Sequence, residues 1–154
     1  MKKLLFQIKK LLREGSDIFL VGKTNSGKSY FAKNILLDFL KNEKVIYLAG
    51  CNQLVNLNLK NNYDYLIVDE VEILFDRNFL ENLHKEKNFY TAKYLAKIKS
   101  WHKKLSLLKK PAVYIVTRNK KEEIAFLCSN LKTTEWNKRK AKVLRFDKKL
   151  LNDQ

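Results

Sequence analysis

The chain has 154 residues, 45% of them hydrophobic, which suits one domain with its own core and excludes wholesale disorder. Lys and Arg number 32 against 16 Asp and Glu, a net charge of +16. That excess points to a polyanionic partner, nucleic acid before an acidic membrane surface, with a merely solvating lysine-rich surface as the competing account.

Residues 2–13 set Leu4, Leu5, Ile8, Leu11 and Leu12 on one helical face with lysines opposite. Lys9 and Lys10 interrupt the apolar stretch and no small-residue cleavage site follows, unlike a signal peptide. Gly15 and Ser16 end this helix before an apolar strand at 18–21. Gly22-Lys23-Thr24-Asn25-Ser26-Gly27-Lys28-Ser29 comes next, then a helix over about 28–41 that begins with Tyr30 in its first turn. A second strand is expected at 44–49, a short helix at 52–59, and a continuous apolar strand at 65–68. Residues 71–110 read as helical, in two helices broken between 76 and 90. Pro111 introduces a fourth strand at 112–116, a helix follows at 121–131, and 142–146 is a short fifth strand. Strands alternating with helices predict one α/β domain over 1–154, a three-layer sandwich around a five-stranded, mainly parallel sheet. Cys51 and Cys128 stand apart from any Cys/His cluster, so a disulfide framework or zinc site lacks support. No apolar run approaches the length of a bilayer span, and the expected location is cytoplasmic.

The stretch from Gly22 to Ser29 fits G-x-x-x-x-G-K-[ST], placed between a strand and a helix as this phosphate-binding loop requires. Its glycines let successive N–H groups turn inward toward phosphate oxygens at a helix N-terminus. Lys28 is expected to reach the terminal phosphates and Ser29 to ligate Mg²⁺, with Lys23, Thr24, Asn25, Ser26 and Tyr30 completing the ATP contacts. The strand at 65–68 ends in Asp69-Glu70, at the edge of an open α/β sheet where ligands bind. Asp69 is the expected metal residue, directly or through water, and Glu70 the general base that activates water. A carboxylate beside the metal residue suits hydrolysis better than phosphoryl transfer to a second substrate. Thr117 and Asn119, after the fourth strand, are candidate sensors that position the lytic water if that strand lies between the other two. Arg139, just before the last strand, could serve as an arginine finger on a neighbouring subunit. Arg118 competes for that role, and an ordinary basic residue is an equal alternative.

With these motifs the chain resembles P-loop ATPases that carry a catalytic glutamate, a group that includes the AAA+ proteins, over about residues 15–147. The strand Lys44-Val45-Ile46-Tyr47-Leu48 and the run from Asn62 to Glu70 are similar to bacterial replication-initiator and helicase-loader ATPases. The run from Lys110 to Asn119 is similar to motif C of superfamily 3 helicases, in which a later arginine matches Arg139. Both resemblances imply strand order 5-1-4-3-2, assembly into homo-oligomers or with ATPase partner subunits, and DNA as partner. The expectation is an ATPase core that departs from most AAA+ proteins in having neither the helical lid after the core nor an origin-binding domain before it.

Residues 85–110 concentrate lysines against Glu86 alone, with Tyr90, Tyr94, Ile98, Trp101 and Leu105 at helical spacing. Lys93, Lys97, Lys103 and Lys104 are the expected DNA contacts, with Trp101 or a tyrosine stacking on bases. A core-facing aromatic stripe with solvated lysines is the favoured alternative for the aromatics. His102 by itself carries no signal. The expectation is a DNA-associated ATPase; a nucleoside or nucleotide kinase and a non-catalytic ATP-dependent binding module are the alternatives.

Overall fold

The apolar runs pair into a single sheet: β1 (Asp17–Gly22), β2 (Val45–Leu48), β3 (Tyr65–Val68), β4 (Ala112–Thr117) and β5 (Ala141–Arg145). All pairings are parallel and the order is β2-β3-β4-β1-β5, the order implied by the resemblance. The computed structural model describes residues 1–56, 62–73 and 92–152.

Side-chain alternation along the strands divides the core in two. Phe19, Val21, Leu66, Val68, Tyr114 and Val116 face one cluster, and Ile18, Leu20, Ile67, Val113 and Ile115 face the other. Helix α1 (Lys2–Arg13) covers the second face through Leu4, Leu5, Ile8 and Leu12. The consecutive turns Lys28–Tyr30, Phe31–Leu36 and Leu37–Phe39 form α2, which joins α1 there with Phe31, Leu36 and Leu40 just beyond its end. Its middle turns are wound as a π-helix. The opposite face is covered by α3 (Ala92–Leu105) and α4 (Lys121–Asn130), which bury Leu105, Ile124 and Leu127. Each buried side chain of this size stabilises the fold by about 1.5–3 kcal/mol. A last turn, α5 (Lys149–Asn152), follows β5.

Several boundaries differ from the sequence reading. The short helix expected at 52–59 is a 3-10 helix over Cys51–Asn56, and the rest of that stretch lies outside the described residues. Residues 71–73, expected to start a helix, are not helical: Val71 donates its N–H to Ile115 O at 3.0 Å, and Val71 and Ile73 are buried in the core. The expected break between 76 and 90, with Lys85, Glu86, Lys87 and Tyr90, lies outside the described residues.

At the amino end of β1, Asp17 is fully buried, and its Oδ1 accepts from Ala112 N–H at 2.8 Å and from Arg139 Nη1 at 3.2 Å. Its Oδ2 has no hydrogen-bond partner among the described residues. The ion pair and the loss of solvent therefore pull in opposite directions. Burial wins, raising the Asp17 pKa from 3.8 to about 6 despite the Ala112 and Arg139 contacts. A folded-state pKa raised in this way favours the protonated acid, so Asp17's contribution to stability is complete below about pH 4 and is lost as pH rises through about 6. In the difference between wild-type and Asp17→Asn unfolding curves, that segment is expected to amount to as much as about 3 kcal/mol. A flat difference from pH 4 to 7 in denaturant titrations would contradict it.

Candidate functional site

The parallel register carries the carboxyl ends of β1, β3 and β4 to one edge of the sheet, with Gly22 beside Thr117 and Val68 beside Tyr114. Gly22 lies where backbones come close: a Cβ there would stand 2.5 Å from Phe146 O. Gly27 has φ +88°, the left-handed region that glycine enters without penalty, and caps the start of α2. Asn25 takes φ +57°, a conformation its short polar side chain tolerates. These turns curl residues 22–29 around the Lys28 ammonium, which donates to Gly22 O at 3.0 Å, Lys23 O at 2.6 Å and Ser26 Oγ at 3.3 Å. Burial lowers the Lys28 pKa from its usual value, and the nearby Asp69 charge opposes that shift. Lys23, Thr24, Asn25, Ser29 and Tyr30 are exposed along the rim.

Asp69 is 5% exposed. Its Oδ2 accepts from Tyr47 Oη at 3.1 Å, and its Oδ1 accepts from Glu70 N–H at 2.8 Å. Burial, then the Asp69 charge and hydrogen bond, push the Tyr47 pKa up to about 12, so the phenol remains a donor that orients the carboxylate. Tyr47 is a partner of Asp69 that the sequence did not single out; alternation in β2 puts it level with Ile67, but only the sheet order aims it at Asp69.

Glu70 is exposed and has φ +52°. For a residue other than glycine or asparagine such a backbone costs about 1–3 kcal/mol, and strain of this kind concentrates at functional positions. Glu70→Asn is therefore expected to stabilise the chain by about 1 kcal/mol, raising Tm by about 2–4 °C, while removing the carboxylate. An unchanged or lower Tm would mean that Glu70 supports the fold rather than straining it.

The strand-end residues after β4 contact the loop directly. Arg118 N–H donates to Gly22 O at 3.1 Å, and Asn119 Oδ1 accepts from Thr24 N–H at 2.9 Å. Thr24, Glu70 and Thr117 also line one cavity of about 410 Å³. The structure thus gathers Lys28, Asp69, Glu70, Thr117 and Asn119 around one edge. Arg118 is buried, with Nη1 donating to Thr117 O at 2.7 Å. Arg139 is placed at the other end of β1. Its guanidinium donates to Asp17, Lys110 O and, at 3.0 Å, Leu108 O, so the group that a finger extends toward a neighbour is tied inside its own chain.

The basic helix α3 meets this edge as well. His102 Nε2 lies 3.0 Å from Glu72 O, which fixes the proton on that nitrogen because a carbonyl only accepts. His102 Nδ1 is 3.5 Å from Glu135 Oε2, but burial lowers the His102 pKa below 6.5, so the ring is neutral at pH 7 and that contact is not an ion pair. The role of His102 in fastening α3 to the loop after Glu70 had no signal in the sequence. On the same helix Ile98 and Leu105 are core residues, whereas Tyr94 and Trp101 are half-buried and line the cavity beside Glu70. Cys51 lines it too, with burial first pushing its thiol up to about 12, which rules it out as a thiolate nucleophile.

Among the described residues no cluster of three His, Cys, Asp or Glu forms a ready metal cage, and no helix is long and apolar enough to cross a membrane. A hydroxyl and one carboxylate still fit Mg²⁺, which keeps several waters and takes remaining ligands from phosphate oxygens. The chain matches no protein-family model and no curated protein sequence.

Proposed function

We propose that the chain binds ATP with Mg²⁺ in the 22–29 loop and hydrolyses it in association with DNA, as an ATPase of the replication-initiator, helicase-loader or helicase kind. The observation that carries this reading is the meeting of three segments at one sheet edge: Asn119 bonds the Thr24 amide, and Thr24, Glu70 and Thr117 share a cavity. In this reading the loop amides and Lys28 hold the triphosphate, its terminal phosphate toward Glu70. Ser29 and Asp69 would hold Mg²⁺, which supplies charge neutralisation at the phosphates. Tyr47 keeps the Asp69 carboxylate aimed, Glu70 takes a proton from water, and Asn119 and Thr117 orient that water. The lysines of α3 support the nucleic-acid part, since the helix carries Lys93, Lys97, Lys99, Lys103 and Lys104 without an acidic residue.

Phosphate release measured with and without single- and double-stranded DNA, alongside oligomeric mass, tests the whole reading. Hydrolysis that DNA stimulates, with a mass that rises on ATP binding, is the expected result. ATP-dependent phosphorylation of a small acceptor in place of phosphate release would make the chain a kinase.

A further inference from the structure

The cavity beside Glu70 has a wall that water activation does not require. Tyr94 and Trp101 stand two turns apart on α3, and so on one side of it, and both line the cavity together with Asn52. Helical spacing puts Lys97, and more laterally Lys93 and Lys104, toward this side of α3, with Lys93 and Lys97 exposed and Lys104 half-buried, whereas Lys99 and Lys103 fall on the opposite side. Lys97 Nζ rests 5.1 Å from the centroid of the Trp101 ring, so the indole face is reachable by a group coming from outside the core.

We propose that this cavity seats one base of a single-stranded nucleic acid, stacked on Trp101, while the α3 lysines hold the flanking phosphates. Charge selects which part of the polymer enters. Glu72, which lines the cavity and meets α3 through its carbonyl and His102, repels a phosphate of the strand but accepts hydrogen bonds from base N–H groups, and Asn52 offers both a donor and an acceptor, while Glu70 is left to water. Among the described residues no α3 lysine lines the cavity, which leaves Lys93, Lys97 and Lys104 to the flanking phosphates. An incoming ring displaces Lys97 from the indole and frees its ammonium for an adjacent phosphate. A duplex cannot use the seat, because its bases are already stacked. Since His102 fastens α3 to the Glu72 carbonyl, the occupied seat adjoins the Glu70 loop and makes turnover responsive to the strand. This regulatory consequence rests on the hydrolytic reading; the seat itself does not need ATP.

The test is fluorescence anisotropy with the full chain, a short labelled oligothymidylate, a duplex of equal length, and inorganic polyphosphate as competitor. Oligothymidylate is expected to bind more tightly than the duplex. Trp101→Ala should weaken it about 5- to 100-fold without changing competition by polyphosphate, and Trp101→Phe should restore most of the affinity. Replacing Lys97 and Lys104 together by Gln should weaken all three ligands alike and flatten the salt dependence. Wild-type oligothymidylate binding by folded Trp101→Ala and Tyr94→Ala chains would overturn the proposal. So would equal binding of single strand, duplex and polyphosphate, or transfer of phosphate from ATP to free thymidine, which would make the cavity an acceptor pocket. Phosphate release in the same samples separates the two readings. Hydrolysis without base stacking removes only the seat, and base stacking without hydrolysis removes only the ATPase.

Discussion

Glu70→Gln is expected to lower ATP turnover about 10²- to 10⁴-fold while leaving Mg·ATP affinity close to wild type. The amide matches the carboxylate in shape but cannot accept a proton, and the groups that hold the triphosphate lie on the other strand end. In the proposed reading those groups are the loop amides and Lys28, whose ammonium is fixed by Gly22, Lys23 and Ser26. Asp69 also keeps its own partners, since Tyr47 holds Oδ2 and the residue 70 amide holds Oδ1 regardless of that residue's side chain. Fluorescent-nucleotide titration beside single-turnover phosphate release separates the two quantities. Equal losses in both would place Glu70 in binding, and unchanged turnover would assign the base elsewhere.

Arg139→Ala is expected to cost about 3–5 kcal/mol of stability, the range seen when one partner of a buried ion pair is removed. The Asp17 carboxylate already lacks a partner at Oδ2 among the described residues, and the substitution would strip Oδ1 of its charged donor while leaving Leu108 O and Lys110 O without theirs. The melting temperature should fall by about 6–20 °C, with the loss greatest where Asp17 is ionised, above about pH 6. An arginine finger predicts the reverse pattern: turnover lost and stability kept. Arg139→Lys does not resolve the matter by itself, because lysine keeps a charge but not the fork that reaches Asp17 and two carbonyls together. Thermal melts of Arg139→Ala across pH, read beside turnover at a temperature where the variant is folded, distinguish the two roles.

The elements that the sequence revealed well are those whose signal is local. Continuous apolar runs at 18–21, 65–68 and 112–116 are strands buried on both faces, and no helical period fits them. The glycine spacing of 22–29 marked a loop whose conformation depends on Gly22 and Gly27, and Asp69-Glu70 was visible as the polar end of an apolar run. What stayed hidden depends on partners far along the chain. Tyr47 points at Asp69 only because β2 pairs with β3. His102 matters only because α3 packs over the loop at Glu72, 30 positions away in sequence. Arg139 read equally as a finger or as an ordinary basic residue, and its position before the last strand matched a family pattern. Its partner Asp17 begins another strand, and nothing local announces that a pair spanning 122 positions will be buried. Val71 to Ile73 read as helical because their apolar spacing fits either period, whereas Val71 bonds Ile115 O beyond the end of β3 and the three residues are not helical. The aromatic stripe of α3 divided: Ile98 and Leu105 went to the core, and Tyr94 and Trp101 went to the rim of the site.

Calorimetric titration of the full chain with ATP, in the presence and absence of Mg²⁺, asks most directly whether residues 22–29 cradle a triphosphate. Wild-type chain is expected to bind ATP in a Mg²⁺-strengthened, saturable manner, and Lys28→Ala, with its fold checked by thermal melting, to lose that binding. Equal ATP binding by the wild type and a folded Lys28→Ala chain, or none by either, would contradict the account.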